Sequence, residues 1–202
     1  MWYFYNRNFN SIEMKNIRLL TLAVDLILFL SAGIIFTSCI EINGSGYSDL
    51  SESDRLHVKP CTSCPDSLYN DGNLYQVTAE QVKAFIQKEQ QVLVYEYLPF
   101  CSGESGRSPL EIKKFCDEKN LKCLIIASVY DGIIPIPETY TFPMMVIDHT
   151  VYQTNNYQQY GDAFYQDLTG CDDESRQMMG MYHLFCEGKY VHSFDSLTDC
   201  CL

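Results

Sequence analysis

Basic residues are scarce in this chain. Against 26 Asp and Glu it sets only 14 Lys and Arg, a formal net charge of −12. That shortage excludes nucleic acid as a partner, because phosphate binding needs a Lys/Arg surface. It also removes a polybasic grip on anionic lipid. No internal repeat is present, and no motif implies a cofactor. What the chain does hold is apolar mass and sulfur. Hydrophobic residues make up 47% of it, enough for a real core, so wholesale disorder is excluded. Ten cysteines are many for a reducing cytosol and suit an oxidising envelope.

The N-terminal segment reads as an export leader. Met14-Lys15-Asn16-Ile17-Arg18 is a short basic start, and Leu19 to Phe36 is an apolar run interrupted once by Asp25. It closes on Phe36-Thr37-Ser38-Cys39. Basic, apolar and then small residues before a cut describe a secretory signal. Residues 1–13 lack that character, which makes Met14 a candidate start. The end of the run resembles a lipobox, with Phe36 in place of the usual Leu. That resemblance implies cleavage before Cys39 and a lipid on Cys39. The competing reading is an uncleaved membrane helix, since the run is nearly long enough to span. Either way residues 40–202 face away from the cytoplasm.

Residues 39–73 follow as a polar stretch rich in Gly, Ser and Asp, expected to be a flexible tether. Regular structure is then predicted. Thr78 with Gln81 forms a capping box, with Val77 and Val82 as its staple, and Val82, Phe85 and Ile86 share one helical face. Gln91 to Tyr97 is a buried strand. Ser108-Pro109-Leu110-Glu111 starts a helix that runs to about Asn120. Leu121 to Val129 and Phe142 to Asp148 are further strands. Met181 to Cys186 and Lys189 to Phe194 form a hairpin about Glu187-Gly188, with Phe185 facing Tyr190 and His183 facing His192. These elements give an α/β sandwich, a mixed central sheet flanked by helices.

Val92 to Phe100, ending on Cys101, resembles the strand and first catalytic Cys of thioredoxin-like proteins. Those proteins commonly read W-C-x-x-C-x-x-x-x-P, and Cys101 with Pro109 keeps that spacing. The resemblance covers roughly residues 74–198, leaving 199–202 as a Cys-containing tail. Two positions depart from the family: Phe100 replaces Trp, and Glu104 stands where the second Cys belongs. The family also places a proline loop against the motif, just before a strand. Two registers fit. In one, Pro143 is that proline. In the other, Phe142 to Asp148 is an earlier, inserted strand, the late hairpin is the terminal one, and the expected proline is missing at Gly180-Met181.

Cys101 is the candidate nucleophile. A thiol at a strand-to-helix junction feels the helix dipole, which favours thiolate. Arg107 is the candidate thiolate stabiliser, and Glu104 opposes it. Exchange also needs a resolving thiol. Cys116 lies too far along the helix to serve, at about 1.5 Å per residue. Cys116 and Cys123 flank a helix-to-strand turn and bridge if their geometry allows. Cys61 and Cys64 form a C-x-x-C open to three readings: a local disulfide, a resolver for Cys101, or half of a zinc site with Cys200 and Cys201. The zinc reading lacks a properly spaced second pair, so no metal site is assigned. If Cys39 carries lipid, nine cysteines remain, and at least one is unpaired or pairs with another molecule.

Four weaker signals complete the reading. His183 opposite His192 is either a metal pair or part of a packed aromatic face. Gly103 to Gly106 sits where a hydrolase elbow would, but Arg107 breaks the G-x-S-x-G spacing. Tyr152, Tyr157, Tyr160 and Tyr165 suggest an aromatic surface for peptide or glycan, or equally a core cover with polar tips outward. Asp172-Asp173-Glu174 reads as a solvated loop that starts a helical turn.

The expectation is therefore a lipid-anchored lipoprotein of the cell envelope, facing periplasm or cell surface. Its thioredoxin-like domain acts as a non-catalytic binding or structural module with a degenerate site. The alternative is thiol–disulfide exchange with Cys101 as nucleophile. The implied partners are the membrane, through lipid on Cys39, and an envelope protein or thiol substrate.

Overall fold

The computed structural model describes residues 46–202 except 63–64, 102, 104–105, 172–179 and 201–202. The leader, Cys39 and Cys64 lie outside the described residues, as do Asp172-Asp173-Glu174. Among those described, no helix is long and apolar enough to cross a membrane.

In chain order the elements are α1 (Glu52–Arg55), β1 (Val58–Pro60), β2 (Leu74–Val77), α2 (Ala79–Ile86), β3 (Gln91–Tyr97), α3 (Pro109–Glu118), β4 (Lys122–Ala127), β5 (Met144–Ile147), α4 (Tyr157–Thr169), β6 (Tyr182–Cys186) and β7 (Lys189–Phe194). The strands form one seven-stranded mixed sheet, ordered β1-β2-β5-β4-β3-β6-β7. The first five run parallel; β6 is antiparallel to β3, and β7 to β6. The expected α/β class with a mixed, helix-flanked sheet is what the chain adopts.

β3 explains the layering. Val92 through Glu96 are all buried, the continuous run of a strand covered on both faces. Leu93 and Tyr95 point into a cluster with Ile112 and Cys116 of α3, Ile125 of β4 and Tyr182 of β6. Val92 and Val94 point the other way, into Val82, Phe85 and Ile86 of α2 and Tyr160, Phe164 and Tyr165 of α4. One helix thus covers one face and two cover the other.

The predicted caps form as expected. Thr78 and Gln81 make a reciprocal box at α2, and Ser108 and Glu111 make another at α3 with Pro109 in the first turn. Asn120 takes the left-handed conformation just past α3, at φ 56°. Glu187 and Gly188 both have positive φ, 50° and 78°, as a tight hairpin turn requires.

Four expectations change. First, residues 46–73 are not simply a tether. Val58 to Pro60 pair in parallel with Leu74 to Gln76, and Leu50, Val58 and Cys61 are buried. The strand is too short and polar to register as a pattern; the exposed edge of β2 supplies the pairing. Second, the tyrosine series is helical. Tyr157, Tyr160, Phe164 and Leu168 follow helix spacing on α4, and Tyr160 and Tyr165 are wholly buried. Their hydroxyls donate to the Ser128 and Ile126 carbonyls, so they are core members rather than a binding surface. Third, the hairpin carries a bulge between Leu184 and Phe185. Phe185 does face Tyr190, but His183 pairs with Ser193 and His192 with Leu184. The one-residue offset sends the two histidines to different neighbours. Fourth, Pro143 precedes β5. Because β5 runs parallel to its neighbour β4, which is parallel to β3, Pro143 stands at the N-terminal end of the sheet, away from the turn that follows β3.

Candidate active site at the C-terminal end of β3

Parallel strands leave a crevice outside their carboxyl ends, the usual place for a ligand in an open α/β sheet. β3 delivers Cys101 there. After Tyr97 the chain turns through Leu98 to Phe100, and the Cys101 amide donates to the Leu98 carbonyl at 3.0 Å. Cys101 is half-buried, and Phe100 beside it is 42% exposed. The Phe100 ring meets Tyr157 of α4 edge-on at 6.1 Å.

Cys101 does not cap a helix. α3 starts only where Ser108 caps it, and Pro109 opens that first turn instead of kinking an established helix. The dipole expected to favour thiolate therefore belongs to a turn further along the chain. Burial and the Glu96 carboxylate instead push the Cys101 thiol up. The Arg107 carbonyl accepts from the Tyr95 hydroxyl at 2.9 Å, and the Arg107 charge adds to the Ser108 hydrogen bonds that hold the Glu111 carboxyl down.

Glu96 is the residue that sequence reasoning missed. It is buried at the end of an otherwise apolar strand, where a carboxyl needs partners. The Ser128 hydroxyl donates to Glu96 Oε1 at 2.9 Å. His183 Nε2 lies 3.9 Å from Glu96 Oε2. His183 Nδ1 lies 2.7 Å from Ser193 Oγ, which in turn is 2.8 Å from the Tyr190 hydroxyl. Tyr165 stacks on the His183 ring at 4.6 Å. Carboxyl, hydroxyls and imidazole thus run from beneath the Cys101 turn to the outer strand β7. The available signal was a lone acid closing the run Val92 to Tyr97.

A second polar group sits at the ends of β4 and β5. The Tyr130 hydroxyl donates to the Ile147 carbonyl at 2.9 Å and contacts His149 Nδ1 at 3.0 Å. Gln76 donates to the same hydroxyl, and Tyr47 stacks on His149. Burial holds the His149 imidazole below its ordinary range, with Asp148 opposing.

The other sulfur candidates lie elsewhere. Cys61 is buried on the α2–α4 face, its carbonyl accepting from Gln81 at 2.6 Å. Cys116 and Cys123 come together at the opposite end of the sheet. Among the described residues, no three His, Cys, Asp or Glu side chains are placed to hold a metal. No family model matches the chain, and neither a characterised protein nor a solved structure matches it.

Proposed function

We propose that this chain is a lipid-anchored extracytoplasmic protein whose thioredoxin-like domain serves as a binding or structural module in place of a thiol–disulfide catalyst. The leader ending at Cys39 supports the anchor and the compartment. The strand order supports the kinship. A central β3 has a parallel partner on one side and an antiparallel hairpin on the other, with β5 as the inserted strand between β4 and β2. The missing family proline then falls at Gly180-Met181, where glycine is forced: a Cβ on Gly180 would overlap the Phe194 carbonyl and the Asp195 nitrogen.

One observation carries the non-catalytic reading. Burial, and then the charge of the Glu96 carboxylate, disfavour the Cys101 thiolate, and the sequence has Glu104 where the family's second Cys belongs. Exposed Phe100 beside a half-exposed sulfur favours a second reading, in which Cys101 forms mixed disulfides with an envelope partner.

Alkylation of Cys101 in the full chain, followed by peptide mass, separates the two. The module reading expects slow modification below neutral pH and unchanged partner capture by Cys101→Ser. Rapid trapping below neutral pH, with adducts lost in Cys101→Ser, would overturn it in favour of exchange. The mass of the mature N-terminus tests the lipid on Cys39.

A further inference from the structure

A second pair of thiols lies at the other end of the sheet, independent of Cys101. Cys116 occupies the last turn of α3, wholly buried. The chain then reverses through Asn120 at φ 56°, and the Leu121 amide donates to the Cys116 carbonyl at 2.8 Å. That bond fixes the turn. Cys123 follows as the second residue of β4, on the face shared by Ile125 and Ala127 that α3 covers. Cys123 is half-buried and lines a cavity of about 400 Å³ at the N-terminal ends of β4 and β5, with Lys113, Asp117, Leu121, Phe142 and Met145 around it.

We propose that Cys116 and Cys123 form a redox-active dithiol that a disulfide oxidant closes to an intramolecular disulfide, entering through this cavity. The fixed turn sets the two thiols against one another on the face that α3 covers, the juxtaposition a disulfide requires. Cys123 is the sulfur that the cavity opens to an oxidant while Cys116 is wholly buried, so Cys123 reacts first; the Cys123 contact and then burial push the Cys116 thiol up, in keeping with that order. The Cys123 thiolate attacks one sulfur of the oxidant, its S–S bond breaks, and one oxidant thiol leaves. Cys116 then attacks Cys123 Sγ, loses its proton to solvent, and expels the second oxidant thiol. Two protein thiols are oxidised, and one external disulfide is reduced to two thiols.

The test uses the reduced full chain with oxidised glutathione, acid quench, alkylation of remaining thiols, and mass mapping without reduction. The expected product joins the Cys116 and Cys123 peptides, two hydrogens lighter than the dithiol. Cys116→Ser is expected to hold glutathione on Cys123 as a stable mixed disulfide, because nothing expels it. Cys116→Ala gives the same readout if Ser perturbs the core. Cys123→Ser is expected to leave Cys116 as an unmodified thiol. Cys101→Ser is expected to form the bridge as the parent does, which separates this outcome from that of the Cys101 reading. The proposal is overturned if the parent accumulates glutathione on Cys123 without a bridge, if neither sulfur reacts in the folded chain, or if Cys101→Ser abolishes the bridge.

Discussion

Cys101 and Cys116 sit at opposite ends of one sheet, and both thiols are pushed above the ordinary cysteine range. The causes differ. At Cys101 burial leads and the Glu96 carboxylate adds repulsion. At Cys116 the neighbouring Cys123 thiol leads and burial adds to it. The charge of a carboxylate disfavours the thiolate, the form that attacks, and so suppresses thiol chemistry. A second thiol is the group that disulfide chemistry needs. The two ends also differ in what they rest on. The Cys116 end is packed core under α3, while the Cys101 end is a loop beside an exposed aromatic.

The largest expected effect tests that last contrast. Ile112→Ala empties a wholly buried position beneath α3 and should cost about 2–5 kcal/mol in urea unfolding. Phe100→Ala, at the exposed end, should stay within about 0.5 kcal/mol of the parent. Equal losses would erase the distinction between a packed end and a loop end. Next comes Gly180→Ala, which puts a methyl group into the Phe194–Asp195 backbone. Overpacking there should cost about 1–3 kcal/mol and displace the start of β6, just after Met181, whose carbonyl accepts from the Glu96 amide. A thermal shift measures the cost, and a changed amide-exchange pattern in β6 locates it.

Glu96→Gln sharpens the electrostatic half of the comparison. The amide oxygen still accepts from Ser128, but the negative charge is gone. The Cys101 thiol should titrate lower, so its alkylation rate at fixed pH should rise while the Cys116–Cys123 pair stays unaffected. An unchanged rate would leave burial as the whole cause. The smallest effect concerns His149, whose pKa is depressed on folding by burial. The unfolded chain binds that proton first as pH falls through about 6.5. Stability should therefore hold above that value and decline below it, where the unfolded state carries more protons. His149→Asn should flatten this part of the curve when melting temperature is followed against pH.

Much of the framework was legible residue by residue. The capping boxes at Thr78 and Ser108, the strand Gln91 to Tyr97 and the turn Glu187-Gly188 all rest on local chemistry, in which a side chain meets its own or a nearby backbone. The strands around Leu124 and Val146 came out shorter than expected by a residue or two at their ends. Helix α4 was present in the spacing of Tyr157, Tyr160, Phe164 and Leu168, but the tyrosines drew attention as polar tips instead of as one helical face. The site was less legible. Cys101 was found from its place after β3, yet the sign of its shift was not, because burial at that turn and then the Glu96 charge set it in the folded chain.

By itself the sequence determined the acidic balance, the α/β class, the starts of α2 and α3 and the hairpin turn, since each depends on composition or on contacts a few residues apart. Tertiary structure decided which thiols meet, which way Cys101 shifts, that Val58 to Pro60 joins the sheet, and where the bulge puts His183 and His192. Those outcomes depend on how the folded backbone buries side chains and sets them against one another, which is where burial and charge act most strongly.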